Sequence, residues 1–501
     1  MNRNVRDGLA TQAQVEPESD KVPAHVWRIA GVVVFGALMS TLDTSLVNIG
    51  LHTIGADLHA DLASVQWITS GYLLALAVSL PLCGWLIRRF GGASVWIGAM
   101  IAFTITSALC ALATTLPMLV AMRVLQGLAA GLLLPAGQAI TGAAAGPRRL
   151  GRVMSIMGIA VVVAPAIGPT IGGLLLRWAS WEWLFLINIP LGILAVFLGW
   201  RVIPRGEGGQ AGPLDIRGLL LTVCGLPLLV YGVTEIGEKG SITALSAWLP
   251  IVAGVALLAA YVLVSRRSEH PIVDLTLLRN PTFAAASVAS TFNGAALFGT
   301  MLVLPLYFQQ VRGESVISTG LSLILFGVGG MIAMPLAARW SERFGAGHIG
   351  FAGAVLATVT SVPFIFLSDH PNGIMLQLLL LIRGFAIGVT AMPVITAAFA
   401  TVQRHQLPDA AVLVNITQRV GGSVGSAVLA VVLSQALAKG LSGADAFTHT
   451  FAWLAGTSAV AALAAAGLLG KRAGAQPDPV EVDAAEVNQT DKRPVEVDPT
   501  G

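Results

Sequence analysis

Residues 84–91 read GWLIRRFG and residues 338–345 read ARWSERFG, so a charged segment that ends in glycine occurs twice in this chain. A second pair of related segments follows, with QGLAAG at 126–131 and RGFAIG at 383–388. The first pair is separated by 254 positions and the second by 257. Two matches at nearly the same separation indicate that the chain contains two similar halves.

The chain around these segments is strongly apolar. It has 501 residues, of which 55% are hydrophobic and 11% are charged, and its mean hydropathy is +0.79. Soluble domains usually carry about a quarter of charged residues, so this chain has too little polar surface for a water-facing globule. Its three cysteines lie apart within apolar runs and form neither a disulfide framework nor a metal-ligand pattern. A soluble enzyme, a nucleic-acid-binding protein and a secreted disulfide-bonded module are excluded, and no metal site is predicted.

Long apolar runs make up most of the chain. A helix that crosses a membrane needs about 20 predominantly apolar residues, and fourteen runs of this kind occur. The first is not predicted to be a signal peptide, because it is too long, follows a polar segment and contains Asp43. The fourteen predicted spans cover residues 27–50, 64–87, 94–115, 118–145, 151–176, 181–201, 216–234, 247–265, 281–308, 317–338, 348–368, 373–400, 409–438 and 448–470.

The Lys and Arg residues of the loops predict the orientation. With the N-terminus in the cytoplasm, the cytoplasmic loops carry 16 Lys and Arg residues and the opposite loops carry 4. Such an excess is typical of cytoplasmic loops. The sequence therefore predicts an all-α integral membrane protein of the cytoplasmic (inner) membrane, with 14 transmembrane helices and both termini in the cytoplasm.

The repeat and the number of spans together predict the domain organisation. Two pseudo-symmetric six-helix halves around a central cavity are typical of transporters, and two inserted helices would separate them here. The terminal segments are too polar to fold alone. The predicted parts are a disordered cytoplasmic tail at 1–25, an N-terminal six-helix bundle at 26–203, two inserted helices at 204–268, a C-terminal six-helix bundle at 269–470 and a disordered cytoplasmic tail at 471–501.

Asp43 is the only acidic residue well inside a predicted span. An ionisable side chain at such a depth costs at least about 2.5 kcal/mol and usually has a function. Arg123 in the fourth span lies about 9 Å from the same membrane surface and Asp43 about 12 Å, as judged from the rise of an α-helix. The two side chains are predicted to pair if their helices are neighbours. Such a pair suits proton coupling, and a static ion pair that fixes helix packing is the alternative.

Two further arginines, Arg383 and Arg419, are predicted near the midplane of spans 12 and 13. Two interpretations stay open for them: contact with an anionic group of a substrate, or packing against carbonyls and the nearby amides of that region. Gln126 and Gln418 are grouped with them as residues for substrate contact or for packing.

Span 5 contains the segment APAIGPTIGG at 164–173. Proline bends a helix and removes a backbone donor, while glycines spaced by three and four residues allow another helix to approach closely. This segment is therefore predicted to bend or to close at the interface of the halves, although ordinary glycine-rich packing is the simpler alternative. Its candidate hinge residues are Pro165, Gly168, Pro169, Gly172 and Gly173.

Together these segments resemble the major facilitator superfamily, and within it the fourteen-span drug:proton antiporters of the EmrB/QacA type. The resemblance extends over roughly residues 26–470 and rests on several motifs in order. They are LDTSLVNIGL (42–51), RVLQGLAAG (123–131), APAIGPTIGG (164–173), WEWLFLINIPLG (181–192) and HPIVDLTLLRNPTF (270–283). The resemblance implies that Asp43 and Arg123 take part in proton coupling and that span 5 carries the antiporter motif.

The resemblance also implies a cytoplasmic gate at the repeated loop segments, formed by Gly84, Arg89, Gly91, Glu342 and Arg343.

One position departs from the family pattern. The loop after span 2 usually carries an acid before its arginine, and Arg88 stands in that place here, whereas the second copy keeps the acid as Glu342. Either the contact between spans 2 and 11 of the usual gate is weakened, or the gate rests on the second copy.

The predicted function is proton-coupled export of small hydrophobic drugs, antibiotics or toxic metabolites by alternating access. Alternatives are a dedicated exporter of one biosynthetic product, a nutrient uptake symporter, and a membrane sensor or enzyme, for which no catalytic constellation occurs. The expected partners are a small hydrophobic substrate, protons and the lipid bilayer, with no cofactor apart from the proton gradient. Whether a periplasmic adaptor takes part cannot be read from the sequence.

Overall fold

The structure is a computed structural model, which describes residues 22–206, 208–209, 211–239, 245–366 and 372–469. Within these ranges some helical side chains are not described, among them those of Pro165 and Pro169. The predicted tail at 471–501 lies outside the described residues, as does the predicted tail at 1–25 up to residue 21.

The first part of the described chain consists of helices joined by loops, because its apolar runs satisfy their backbone hydrogen bonds within each helix. Its helices are α1 (Ala24–Asp57), α2 (Leu62–Val65), α3 (Trp67–Phe90), α4 (Gly92–Ala111), α5 (Leu116–Trp178), α6 (Trp183–Leu186), α7 (Asn188–Val202), α8 (Ile216–Lys239) and α9 (Leu245–Ser265).

The rest of the described chain contains helices of the same kind and two short 3-10 turns, Leu275–Arg279 and Arg404–Gln406, with no strand among the described residues. Its helices are α10 (Pro281–Gln310), α11 (Val316–Phe344), α12 (Ala346–Val359), α13 (Val362–Ile365), α14 (Gly373–Phe399), α15 (Leu407–Ala438) and α16 (Gly443–Ala466).

Within the described residues, thirteen helical segments are long and apolar enough to cross a membrane. The protein is therefore a multi-pass membrane protein, but the predicted number of fourteen spans is not confirmed. The remaining predicted span, 151–176, is helical and forms the second arm of α5.

A single residue separates the two arms of α5. The sequence predicted two spans with a loop at 146–150, whereas helix continues on both sides of Gly146, which alone has non-helical angles of φ 69° and ψ 168°. Glycine adopts this positive φ without a steric cost. The following Pro147 suits the first position of a new helical arm, because its missing N–H has no partner there in any case.

Within each half the long helices pack against one another. In the first half α5 packs against α1, α3 and α4, and in the second half α10 packs against α15 while α11 packs against α14. The halves meet where α5 contacts α11, α14 and α15, and where α3 contacts α15. Helix α8 packs on α9 and also contacts both α3 and α15.

The two faces of the bundle are named here by the first helix. The near face carries Ala24, where α1 begins, and the far face carries Asp57, where α1 ends. The loop charges predict that the near face is cytoplasmic.

Thiol labelling tests this orientation. In a variant without the three native cysteines, single cysteines at Ser64 and Ser315 are expected to react from outside the cell with a membrane-impermeant maleimide. A cysteine at Gly151 is expected to react only after the membrane is opened, because it lies on the near face. Its side chain is tolerated, since a Cβ there would lie 3.5 Å from the nearest atom, in Thr396. The reverse labelling pattern would contradict the predicted topology.

Candidate transport site

The buried pair of Asp43 and Arg123 lies at the centre of the first half. Arg123 Nη1 donates to Asp43 Oδ2 at 2.6 Å, and both side chains are fully buried. The pairing predicted from equal depth in the membrane is therefore present, because α1 and α5 are direct neighbours. Arg123 Nε also donates to the carbonyl of Ile68 at 3.3 Å.

Three polar side chains complete the cluster around the pair. Asp43 Oδ1 accepts from Asn188 Nδ2 at 2.7 Å and from Gln126 Nε2 at 3.2 Å. Gln126 Oε1 accepts from Arg123 Nη1 at 2.7 Å, and Ser107 Oγ bridges the two amides. Gln126, which the sequence grouped with substrate contacts, thus belongs to this cluster and lines neither of the two cavities described below.

The carboxylate of Asp43 accepts hydrogen bonds from a guanidinium and two amides, and hydrogen bonds that involve charged groups are stronger than neutral ones. One nitrogen of the arginine, Nη2, has no hydrogen-bond partner among the described residues. Removing one member of a buried ion pair typically costs about 3–5 kcal/mol. Protonation of Asp43 would therefore strongly favour a rearrangement of the helices that bury Arg123.

The second half contains a cluster at the matching place without a carboxylate. Arg383 donates to the carbonyl of Ala357 and to Ser361 Oγ (2.5 Å for the latter), and more weakly to Thr300 and Ser458. By the repeat spacing, Thr300 corresponds to Asp43 at 257 positions. Gln126 and Arg383 have the same separation, and Ser107 and Ser361 are separated by 254 positions.

Arg383 is therefore satisfied by hydroxyl groups and a carbonyl, and the packing interpretation describes its contacts. Of the two clusters, the one in the first half alone places a carboxylate beside its arginine. The two clusters therefore differ in charge, since Asp43 occupies the position that corresponds to Thr300.

A central cavity of about 490 Å³ lies between the halves. From α1 it is lined by Ser40, Thr41, Thr44 and Asn48, and from the second half by helices α10, α11 and α15. Its lining is mainly apolar, as is typical of sites for hydrophobic ligands. The lining residues of α10 and α11 lie toward the far face, and the cavity extends toward the near face as far as Asn415 in the third turn of α15.

Tyr72 connects the cavity with the buried pair. Its ring lies under the Arg123 guanidinium, with 4.1 Å between Cζ and the ring centroid, and the same side chain lines the cavity. Its hydroxyl donates to the carbonyl of Ser40 at 3.4 Å. Because α1 carries Asp43 on one side and cavity-lining hydroxyls on the other, a ligand that displaces α1 or Tyr72 also changes the surroundings of Asp43.

Gln418 and Arg419 line the central cavity from α15. Arg419 Nε is buried without a hydrogen-bond partner among the described residues. Of the four residues predicted for substrate contact or packing, these two therefore reach a cavity, and Gln126 and Arg383 are buried elsewhere.

The near face is closed by two ion pairs between the halves. Arg88 at the end of α3 donates to Asp409 at the start of α15 at 2.5 Å, and Arg152 of α5 pairs with Glu342 at the end of α11. Deeper in the same interface, Asn415 Nδ2 donates to Gln138 Oε1 at 2.6 Å.

Neither ion pair joins spans 2 and 11, so the expectation about that contact stays a prediction. Arg88 of the first copy pairs with α15, and Glu342 of the second copy pairs with α5. Arg88 itself forms a contact between the halves, with a partner of opposite sign from the second half. By the repeat spacing, Arg88 corresponds to Glu342 at 254 positions and Arg152 corresponds to Asp409 at 257 positions. Both members from the first half are arginines and both members from the second half are acids, so the two contacts have the same distribution of charge between the halves.

The remaining gate residues have local roles in the structure. Gly84 leaves room for the carboxylate of Asp409, since a Cβ there would lie 2.6 Å from Oδ1. Gly91 ends α3 with φ 81°. The side chain of Arg89 is exposed, and that of Arg343 lies over the ring of Phe344.

The glycines of the span 5 motif face α1. A Cβ at Gly168 would collide with Ser45, and one at Gly172 would contact Leu46 and Ile49 at 3.3–3.5 Å. Gly173 is half-buried. The motif thus brings the second arm of α5 close to the helix that carries Asp43. The side chains of Pro165 and Pro169, the other two candidate hinge residues, are not among those described.

Comparison with known proteins identifies the family. The model of the Major Facilitator Superfamily matches residues 33–426. The chain belongs to the major facilitator superfamily. Its family and fold are those of membrane transporters, which are not enzymes.

The relatives of this major facilitator transporter include proteins named for drug resistance. The chain is 36% identical over 424 residues to the multidrug resistance protein B homolog of Mycobacterium tuberculosis. That alignment covers 83% of this chain and 77% of the relative. It is 30% identical over 407 residues to the methylenomycin A resistance protein of Bacillus subtilis. That alignment covers 80% of this chain and 86% of the relative.

The fold also matches solved structures. The human organic anion transporter MFSD10 (TETRAN) superposes with a TM-score of 0.62 at 15% identity, over 88% of this chain and 100% of the other. At this identity the match shows the fold alone.

Several site residues were missed from the sequence. Asn188 was detectable as an isolated amide in the apolar motif at 181–192. Ser107 was detectable because Ser361 is its counterpart at the repeat spacing. Asp409 was passed over because it begins its predicted span, although the structure leaves only 7% of it exposed.

Proposed function

We propose that this major facilitator transporter is a proton-coupled antiporter that exports small hydrophobic drugs, antibiotics or toxic metabolites from the cytoplasm. The observation that carries the proposal is the buried Asp43–Arg123 pair, which lies one tyrosine side chain away from the central cavity. The resistance names of two relatives support the class of substrate.

In the proposed cycle, Asp43 takes up a proton from the far side and releases it to the near side. Protonation neutralises Asp43 and leaves Arg123 without its counter-charge, so the packing of α1 against α5 is weakened. A substrate bound in the central cavity contacts α1 and Tyr72 from the other side. Release of substrate and uptake of a proton then favour the same rearrangement, which is the coupling that antiport requires.

The architecture that we propose for this cycle is two six-helix halves that rock about the central cavity, with α8 and α9 as two helices inserted between them. The second arm of α5 would supply the fourteenth span. Both termini would lie in the cytoplasm of the cell, and the protein in its cytoplasmic membrane.

The cavity favours substrates with little net positive charge. Within the described residues no carboxylate lines the central cavity, whereas Arg419 does. Two uncompensated positive charges in a medium of low dielectric constant are costly. Neutral, monocationic or weakly anionic hydrophobic compounds are therefore the proposed substrates, in preference to permanent dications.

Efflux of two dyes tests this preference. Everted membrane vesicles that contain the protein are expected to take up ethidium, a hydrophobic monocation, faster than propidium, its dicationic analogue. The readout is the change of dye fluorescence after energisation, with the Asp43→Asn variant as the control for coupled export. Equal export of both dyes that depends on Asp43 would contradict the preference.

A second candidate is a dedicated exporter that protects its host from one product. The relative named for methylenomycin A resistance favours it. A narrow substrate range in the same efflux assay, with several unrelated dyes retained, would support this alternative over multidrug export.

A further inference from the structure

A second cavity lies beside the central one, where α8 packs between α3 and α15. Its volume is about 420 Å³, and it is lined by these three helices and by Phe298 of α10. It lies in the far half of the bundle, since Gln66 and Trp67 adjoin the start of α3 and Glu235 lies in the last turns of α8. We refer to it as the lateral cavity.

Arg419 stands between the two cavities. Together with Leu73 and Phe298 it lines both of them. In the part of the chain that the structure describes, it takes part in no ion pair, and its buried Nε has no hydrogen-bond partner. A guanidinium without a counter-charge in an apolar setting binds an anionic oxygen strongly, because two N–H groups are presented side by side.

The wall of the lateral cavity is aromatic. The rings of Trp67 and Tyr231 are stacked, with 6.1 Å between their centroids and 20° between their planes. Trp67 is 45% exposed, so a face of this aromatic wall is open to a ligand. Flat apolar groups bind such surfaces by offset stacking.

Glu235 also lines the lateral cavity, from the last turns of α8, whereas Arg419 lines it from α15. A carboxylate disfavours an anionic group beside it. The charges of the lateral cavity therefore place an anionic group at Arg419 and an uncharged body along the aromatic wall.

We propose that the lateral cavity is a second binding site, specific for amphipathic organic anions with a planar apolar body. The carboxylate or a similar group binds Arg419, and the body lies against Trp67 and Tyr231. Binding at this site does not depend on the proposed proton coupling.

A binding experiment on the purified full-length protein tests this site. The protein is placed in nanodiscs of phosphatidylcholine, and binding of radiolabelled 1-naphthylacetate is compared with that of the neutral 1-naphthylacetamide. The wild-type protein is expected to prefer the carboxylate. Arg419→Gln is expected to abolish that preference and Arg419→Lys to retain part of it, with a loss of roughly tenfold in affinity for the Gln variant.

Matched variants locate the ligand. Tyr231→Ala and Trp67→Ala change only the lateral cavity and are expected to weaken naphthylacetate binding, whereas Met301→Ala changes only the central cavity and is expected to leave it unchanged. Trp248→Ala controls for the loss of a surface tryptophan, since Trp248 is 46% exposed and lines neither cavity. Size-exclusion chromatography verifies that each variant is folded.

Two results would overturn the proposal. One is an unchanged affinity for naphthylacetate in Arg419→Gln, and the other is an affinity that Met301→Ala lowers and Tyr231→Ala does not.

Exchange of the lipid distinguishes the source of the anion. Weaker probe binding in phosphatidylglycerol for the wild type, but not for Arg419→Gln, assigns the site to anionic lipid headgroups. Equal binding in both lipids assigns it to free organic anions. Binding is measured without a proton gradient, so a failure of this proposal and a failure of the proposed antiport are distinguishable results.

Discussion

Asp43→Asn is expected to reduce gradient-driven export to the level of cells without the protein. The amide keeps the size of the carboxylate and can still bond to the polar groups around it, but it cannot exchange a proton. The measurement is dye transport in everted membrane vesicles, with ethidium as the probe and the proton gradient imposed by respiration. Asp43→Glu is expected to keep part of the activity, since it preserves the charge.

Loss of folding must be separated from loss of coupling, because Asp43→Asn leaves Arg123 buried without a counter-charge. The double variant Asp43→Asn with Arg123→Gln removes both charges and is expected to be stably inserted but still uncoupled. Thr300→Ser is a matched control at the corresponding position of the second half, and it is expected to retain transport because it keeps the hydroxyl that contacts Arg383. Full gradient-driven export by Asp43→Asn would show that another group carries the proton.

Charge reversal at the near face is expected to open the closed conformation. Arg88→Asp places a second carboxylate beside Asp409, which is almost completely buried. A loss of about 1.4 kcal/mol from the closed state would raise the population of the open state by roughly tenfold. Arg88→Asp combined with Asp409→Arg exchanges the two charges and is expected to restore closure and transport.

The rate of thiol alkylation measures this opening. A single cysteine at Gly142 lies between the halves, where its Cβ would be 3.5–3.7 Å from Leu150, Leu407 and Met154, so it fits the closed state. Arg88→Asp is expected to accelerate its reaction with a maleimide in detergent solution.

Other charge changes at the near face serve as comparisons in the same assay. Arg152→Glu is expected to accelerate alkylation less, because the Arg152–Glu342 pair is more exposed than the Arg88–Asp409 pair. Arg89→Asp, on the exposed neighbour of Arg88, is expected to have no effect. A slow reaction in Arg88→Asp, or no recovery in the exchanged double variant, would rule out this ion pair as a determinant of closure.

The pairing of Asp43 with Arg123 was predictable because each is an isolated charge in an apolar run and both lie at similar depth. The partners of Arg88 and Arg152 were not predictable in the same way. Charged residues at helix ends are common in membrane proteins, so their positions alone do not reveal which opposite charge faces them. The repeat spacing predicts the second ion pair only after the partners of the first ion pair are known.

Composition by itself determined that this chain is a helical membrane protein, and the repeat spacing predicted two related halves, since apolar length and repeat spacing depend on no contact between distant residues. They also determined which carboxylate lies in the apolar interior. Only the tertiary structure decided that Arg383 is satisfied by hydroxyl groups while Arg419 faces two cavities. Both arginines lie at similar depth in apolar helices, and the difference arises from which neighbouring helix surrounds each guanidinium. The lateral cavity has the same origin, because it exists only where α8 packs between α3 and α15.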